Sequence, residues 1–213
     1  MTLPISTAMP DVRRTDAPVA FVSTWYVPDA EAARRLLDSL GRRWAGTTWP
    51  AEIRSSSCFL DVRGDTVLAY TRCLDRSDRR TIRSLHGASG AGPVEYRLGR
   101  SVVRDDTPPT CVVIATFDVD GPDRQEHIID SIADSIEQAP PDRNRGLLAA
   151  NFHVSTDGSR VLNYAEWTSD EAHEVFLAGS TRATTLRISN ATPGVRPIGF
   201  KRYHLHGSVT GRA

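Results

Sequence analysis

The chain carries one pattern of strands and helices twice in tandem, and this repeat limits the folds open to it more than any other feature. Residues 21–25 and 113–117 are both runs of β-branched and aromatic residues, which favour strands, and each run leads into a helical pattern. The helices match in register, since LDSL at residues 37–40 corresponds to IDSI at residues 129–132. Apolar residues at this spacing predict one buried stripe per helix.

A hairpin follows the first helix in each copy. Gly64 in the first copy and Asp157-Gly158 in the second supply the residues that such turns require. The returning strands share Val, Leu and Tyr in register, as VLAY in one copy and VLNY in the other. The predicted hairpin strands are residues 57–62 and 66–73 in the first copy, and 151–155 and 160–167 in the second.

Each copy closes with a second helix and a last strand. The first copy predicts this helix at residues 77–85, and in the second copy Thr168, with Glu171 three residues on, has the pattern of a capping box. The last strands are predicted at residues 94–98 and 198–205. The resulting order, strand, helix, strand, strand, helix, strand, is that of a ferredoxin-like module. The predicted organisation is a flexible N-terminal tail at 1–18, a first module at 19–103, a linker at 104–110 and a second module at 111–206.

We therefore expect an α+β fold built from tandem ferredoxin-like modules. A four-stranded sheet of this kind has helices on one face only, so its other face must be covered. The other copy is available to cover it. This predicts an intramolecular dimeric α/β barrel, with a ligand cavity between each sheet and its helices.

Charge and composition restrict the class of partner. Lys plus Arg and Asp plus Glu both total 26, so no basic field exists to gather nucleic acid or an anionic membrane. A small, largely apolar ligand fits this balance best. Without a signal peptide or a long apolar run, a cytoplasmic location is expected. Cys58, Cys73 and Cys111 have no metal-ligand spacing and are interpreted as ordinary buried thiols.

One stretch of the second copy resembles a known family. Residues 151–176, NFHVSTDGSRVLNYAEWTSDEAHEVF, are similar to the antibiotic biosynthesis monooxygenase family of dimeric α/β-barrel proteins, and NFHVS, DG and VLNYAEW carry most of the likeness. The resemblance implies oxidation of a polycyclic phenol or anthrone, as an aromatic polyketide intermediate, to a quinone. It also implies that O2 is the co-substrate and that no metal, flavin or haem cofactor takes part.

The resemblance also implies a set of site residues. The family's substrate-contacting Asn and Trp fall on Asn163 and Trp167, and its strand His falls on His153. Because a base must have a pKa near neutrality, His153 is the first candidate for removing the substrate proton. Asn163 and Trp167 would donate hydrogen bonds to the phenolate or to a carbonyl.

Two further residues depend on weaker matches. An actinorhodin-type member has a helix Tyr six residues past the Trp, where this sequence has His173, a second candidate for proton donor or base. Arg187 is the best match to an Arg that would steady the enolate or peroxide oxygen, with Arg182 as its rival. In the sequence alone, His173 also fits a solvated helix residue and Arg187 a surface cation.

The substrate would lie between the two strand residues. Alternation puts Asn163 and Trp167 on one face, about 13 Å apart along the strand, a gap that a tricyclic ligand spans. Phe152, Phe176 and Trp25 are predicted to line the site. The first copy has Ala69, Cys73 and Phe59 in place of Asn163, Trp167 and His153, which predicts one working cavity per chain.

Other functions remain open at this point. Some dimeric α/β-barrel proteins bind and degrade haem, although this sequence lacks a His in the matching later helix turn. A non-oxidative polyketide cyclase, or an accessory protein that binds a polyketide, is the alternative from a different class. The sequence also leaves open whether tandem chains form a homodimer.

Overall fold

A computed structural model of the chain describes residues 6–74, 79–87 and 92–211. The chain divides into two compact units. The first contains the residues up to Tyr96 together with those from Tyr203 onward, and the second contains Arg97–Arg202. The boundaries fall inside two strands, so each unit is completed by a strand end from the other half of the sequence.

In its described residues, the first unit is a sheet with two helices. Its strands are ordered β1-β3-β2-β8, and β3 pairs antiparallel with both β1 and β2. Along the chain, this half runs β1 (Val19–Tyr26), α1 (Ala30–Gly46), β2 (Ile53–Asp61), β3 (Thr66–Cys73), α2 (Arg79–His86) and β4 (Val94–Val103).

The second unit has the same plan with one helix more. Its strands are ordered β5-β7-β6-β4, and β7 pairs antiparallel with both β5 and β6. This half runs β5 (Cys111–Val119), α3 (Pro122–Gln138), a 3₁₀ turn (Pro141–Asn144), β6 (Leu147–Ser155), β7 (Arg160–Trp167), α4 (Asp170–Ala178), α5 (Ser180–Ala191) and β8 (Val195–Thr210).

The strand registers of the two units coincide. Ser23 lies opposite Ala69 in the first unit, just as Ala115 lies opposite Asn163 in the second. The same holds for the hairpins, where the pair 56–71 corresponds to the pair 150–165. The duplication is therefore preserved residue by residue in the pairing of the strands, and the predicted α+β class of tandem ferredoxin-like modules is confirmed.

The predicted apolar stripes form the helix-facing cores. In α1 the buried residues include Leu37 and Leu40, and in α3 they include Ile129 and Ile132, which are the matched positions of the repeat. Asp29 caps α1 by accepting a hydrogen bond from the Ala32 amide at 2.7 Å. Among the helices in the described ranges, none combines the length and apolar character needed to cross a membrane.

The ends of several elements differ from the prediction. The cap of α4 is Ser169, which accepts a hydrogen bond from the Ala172 amide at 3.1 Å, so Thr168 lies one residue before the cap. The start of the helix predicted at 77–85 lies partly outside the described residues. α5 was not predicted, because its Ser- and Thr-rich sequence has no continuous apolar stripe.

The segment predicted as a flexible tail makes buried contacts in the first unit. Val12 and Ala17 are buried, and the Arg72 side chain, only 1% exposed, donates hydrogen bonds to the carbonyls of Val12 at 2.6 Å and Arg14 at 2.7 Å. A buried guanidinium is costly unless acceptors surround it. The segment supplies those acceptors, and this ties it to β3.

Candidate active site

The second unit encloses a cavity of about 180 Å³. Its wall is formed by β5, β6 and β7 on one side, by α3, α4 and α5 on the other, and by the first residues of β8. Small side chains leave this space open on the sheet side, where Ala115, Ala150 and Ala165 lie on adjacent strands. The cavity is therefore the predicted space between sheet and helices, with an apolar wall.

Two polar side chains of β7 face this cavity. Asn163 and Trp167 are four residues apart, so the alternation of the strand puts both on the helix-facing side. The Oδ1 atom of Asn163 and the Nε1 atom of Trp167 are buried and have no hydrogen-bond partner among the described residues. A buried polar atom without a partner costs about 1–3 kcal/mol. One acceptor and one donor are thus available to a ligand in this cavity.

His173 on α4 also lies on the cavity wall. Only 2% of it is exposed, and its ring centroid lies 5.1 Å from that of Trp167 and 5.5 Å from that of Phe200. Of the described residues that line the cavity, His173 alone has an ionisable side chain. The sequence alone suggested a solvated position for His173, but the structure shows that its side chain is buried.

Arg202 of β8 holds the first turn of α4 in place. Its guanidinium donates hydrogen bonds to the carbonyl of Asp170 at 2.7 Å and to the carboxylate of Glu174 at 2.8 Å. These contacts lie on either side of His173 in sequence. They fix the helix that carries His173, although Arg202 itself does not line the cavity.

The structure does not bring His153 to this site. In the β6–β7 pairing, Phe152 is opposite Asn163, whereas His153 is opposite Leu162. Because neighbouring residues of a strand point to opposite faces, His153 lies on the other side of the sheet from Asn163. There it is fully buried, with its Nδ1 3.0 Å from the carbonyl of Asn151. The prediction of His153 as the base needs correction for this reason.

Arg187 is also away from the cavity. It lies on the exposed side of α5, while Thr185, Leu186 and Ser189 from the same helix face the cavity. Ser189 donates a hydrogen bond to the Thr185 carbonyl at 2.8 Å. The side chain of the rival residue, Arg182, lies outside the described residues.

The three predicted lining residues have different positions. Phe176 lines the cavity, and its ring centroid lies 5.1 Å from that of Trp167. Phe152 is buried in the core of the second unit without reaching the cavity wall. Trp25 belongs to the core of the first unit and so is a correction to the predicted lining. The sequence missed Pro197, Gly199 and Phe200 of β8, which lie far along the chain from the motif.

The described residues contain no group of three or more His, Cys, Asp or Glu side chains that could hold a metal ion. All three cysteines are buried. Burial raises the pKa of Cys58 and of Cys111 to about 12, so both thiols stay protonated at neutral pH. This agrees with their interpretation as ordinary core residues.

The chain is similar in sequence to a bacterial monooxygenase. It is 32% identical over 108 residues to tetracenomycin-F1 monooxygenase of Streptomyces glaucescens, a match that covers 49% of this chain and 91% of the enzyme. No protein-family model matches the chain.

Solved structures share the fold over nearly the whole length. An anthrone oxidase-like protein superposes with a TM-score of 0.72 at 14% identity, covering 97% of this chain and 96% of its own. A ferredoxin-fold protein of Listeria monocytogenes, related to antibiotic biosynthesis monooxygenases, gives a TM-score of 0.51 at 12% identity and covers 92% of this chain and 98% of its own. At these identities the likeness establishes the fold alone.

Proposed function

This chain belongs to the antibiotic biosynthesis monooxygenase family, and we propose that it oxidises a polycyclic phenol or anthrone to a quinone with O2. The relative in Streptomyces glaucescens, named as a tetracenomycin-F1 monooxygenase, is matched over 91% of its length. The substrate class proposed here is accordingly an aromatic polyketide intermediate. The proposed reaction uses O2 as co-substrate and no cofactor.

The observation that carries the proposal is the pair of unsatisfied polar atoms on β7. Asn163 Oδ1 accepts a hydrogen bond and Trp167 Nε1 donates one, and both are buried beside an apolar cavity. A hydroxylated polycyclic ketone has the complementary groups, because its phenolic O–H donates and its carbonyl oxygen accepts. Binding such a ligand satisfies both protein atoms at once.

The cavity volume suggests how such a substrate is placed. An apolar protein cavity of roughly 150 Å³ holds a benzene ring, and this one measures about 180 Å³. The reacting ring and part of its neighbour fit inside. Leu186 and Phe200, which line the cavity and are 46% and 42% exposed, offer apolar surface for the remaining rings.

His173 is the proposed base. It takes one proton from the reacting methylene group of an anthrone, and the resulting carbanion transfers an electron to O2 and recombines with it as a peroxide. Protonation of the peroxide, loss of the second C–H proton and departure of hydroxide give the ketone and water. In the overall balance, one methylene group and one O2 molecule give one carbonyl group and one water molecule. Here O2 is the oxidant and one of its atoms enters the quinone.

The wall of the cavity supports this chemistry. In this proposal Trp167, which lines the cavity, uses its Nε1–H to stabilise the oxygen on which negative charge develops, the role that the resemblance implied for Arg187. The alanines and aromatic rings exclude water, so the carbanion meets O2 before it is reprotonated.

Two histidines of the second unit give a matched test. With 1,8-dihydroxyanthrone as substrate, we expect His173→Gln to lower the protein-dependent rate of O2 uptake by about 10²–10⁴-fold, the usual contribution of a general base. His153→Gln, on the other face of the sheet, serves as the control and should keep most of the rate if its folding is unchanged. Uptake that falls only in His153→Gln would overturn the assignment. A ligand that binds without O2 uptake by the unmodified protein would favour the non-oxidative alternative.

A further inference from the structure

A buried polar cluster occupies the core of the first unit. The imidazole of His86 lies between two hydroxyls, with its Nδ1 2.8 Å from Ser23 Oγ and its Nε2 2.8 Å from Thr71 Oγ1. Ser56 Oγ lies 2.7 Å from the same Thr71 hydroxyl. The ring centroid of His86 is 6.0 Å from that of Trp25. Both ring nitrogens of a buried histidine are thus satisfied by hydroxyl groups.

Each residue around this imidazole corresponds to a residue on the wall of the second unit's cavity. The strand registers equate Ser23 with Ala115, since these lie opposite Ala69 and Asn163. They likewise equate Ser56 and Thr71, which face each other, with the facing pair Ala150 and Ala165. Trp25 corresponds to Phe117 in the same way, because both lie opposite a valine of the returning strand. The His86 ring therefore fills, in the first unit, the space that is a cavity in the second.

We infer that Ala115, Ala150 and Ala165 are specificity-determining residues, and that their lack of hydroxyl groups makes the second unit's cavity a site for a hydrocarbon ring. The first unit of the same chain has hydroxyl side chains at the three corresponding positions. With hydroxyls at all three positions, the site holds a nitrogen heterocycle, and the chain supplies that heterocycle itself.

The ligand preference of each unit follows from the groups that its alanine or hydroxyl side chains can pair with. An alanine methyl offers only dispersion contact, so it accepts a C–H edge and leaves a ring nitrogen without a partner. A serine or threonine hydroxyl has the reverse preference, because a hydrocarbon ring would desolvate the hydroxyl without forming a hydrogen bond to it. Burial lowers the pKa of His86 to about 4, so the ring is held as the neutral imidazole at neutral pH.

This inference rests on the proposed binding of an aromatic substrate, and an isosteric pair of probes tests it. Indene and benzimidazole are bicyclic rings of similar size, and benzimidazole carries the two nitrogens of an imidazole. We expect the unmodified chain to bind indene at least tenfold more tightly than benzimidazole. In the double variant Ala115→Ser/Ala165→Thr, two new hydrogen bonds at about tenfold each should shift this preference by about 100-fold toward benzimidazole. Isothermal titration or tryptophan fluorescence measures both affinities.

A control comes from the first unit, where the reciprocal variant Ser23→Ala should leave the preference unchanged. An unaltered preference in a double variant that keeps its thermal stability would overturn the inference while leaving the oxygenase proposal intact. If the unmodified chain bound neither probe, both proposals would fail. If the preference shifts but no O2 is consumed by the unmodified chain, the specificity inference stands and the oxygenase proposal falls.

A second measurement decides the matter should the double variant not fold. His86→Gly removes the internal ring, and the hydroxyls of Ser23 and Thr71 should then hydrogen-bond free imidazole. We expect millimolar imidazole to raise the Tm of His86→Gly and to have no such effect on the unmodified chain. No imidazole-dependent rise in His86→Gly would overturn the inference.

Discussion

Replacing Asn163 with leucine should stabilise the protein and weaken its binding of substrate at the same time. The two effects have one cause. Asn163 Oδ1 is buried without a hydrogen-bond partner among the described residues, and its first-unit equivalent is the apolar Ala69. Asn163→Leu removes the unsatisfied atom from the empty protein, and it also removes the acceptor that the substrate would use.

The structure sets the size of both effects. An unpaired buried acceptor costs about 1–3 kcal/mol, and we take the lower end, about 1 kcal/mol, because Asn163 as a whole is only partly buried. For a chain of this length, that gain raises Tm by roughly 2–4 °C. The lost hydrogen bond to the substrate should weaken binding by about tenfold.

Asn151 provides the matched control. It lies on the opposite face of the sheet, where its Oδ1 accepts a hydrogen bond from Ser101 at 2.8 Å and its Nδ2 donates one to the Tyr164 carbonyl at 3.2 Å. Asn151→Leu should therefore lower Tm, because it removes both hydrogen bonds of a fully buried side chain. Calorimetry gives the Tm of both variants, and titration with 1,8-dihydroxyanthraquinone gives their affinities. If Asn163→Leu lost stability as Asn151→Leu does, the assignment of Asn163 to ligand binding would be refuted.

Two further predictions concern stability. Burial lowers the pKa of His86 from 6.5 to about 4, so the unfolded chain takes up a proton before the folded chain does as the pH falls. The free energy of unfolding should therefore drop by about 3 kcal/mol between pH 6.5 and pH 4. In a series of urea denaturations over this pH range, His86→Gln should show a smaller drop. An equal pH dependence in His86→Gln would show that other groups cause it. Gly146 has a φ of +86°, and a Cβ there would overlap the Cβ of Ala172 on α4, so Gly146→Ala should cost at least about 2 kcal/mol. Urea unfolding at neutral pH measures this loss, and a change below about 0.5 kcal/mol would contradict the close approach.

The repeat made most of the fold predictable. Matched apolar positions such as Leu37 and Ile129 specify the helix stripes, and the shared Val, Leu and Tyr of the returning strands specify the hairpins. Strand alternation likewise places Asn163 and Trp167 on one face, where the structure has them. Helix stripes, hairpin strands and strand alternation depend on residues close together in sequence, so the sequence alone predicts them.

The missing parts of the site depend on long-range contacts. His173 reads as a solvated helix residue until Phe200, from a strand far along the chain, packs on its ring. α5 has no strong apolar stripe, so the sequence of residues 180–191 does not indicate that Thr185 and Ser189 face a cavity. The face on which His153 lies depends on the register of β6 against β7. Phe152 pairs with Asn163, so His153, one residue later, points to the face opposite the cavity.

The reaction proposed for the second unit's cavity is the transfer of an oxygen atom from O2 to a polycyclic phenol or anthrone without a cofactor. Its most direct test is isotope incorporation by the purified chain after exhaustive treatment with chelator, with 1,8-dihydroxyanthrone as substrate under ¹⁸O2. We expect a protein-dependent yield of quinone that carries one ¹⁸O atom per molecule, with one O2 consumed per quinone formed. Quinone formed no faster than in the absence of protein, or activity that returns only on addition of a metal ion, flavin or hemin, would contradict it.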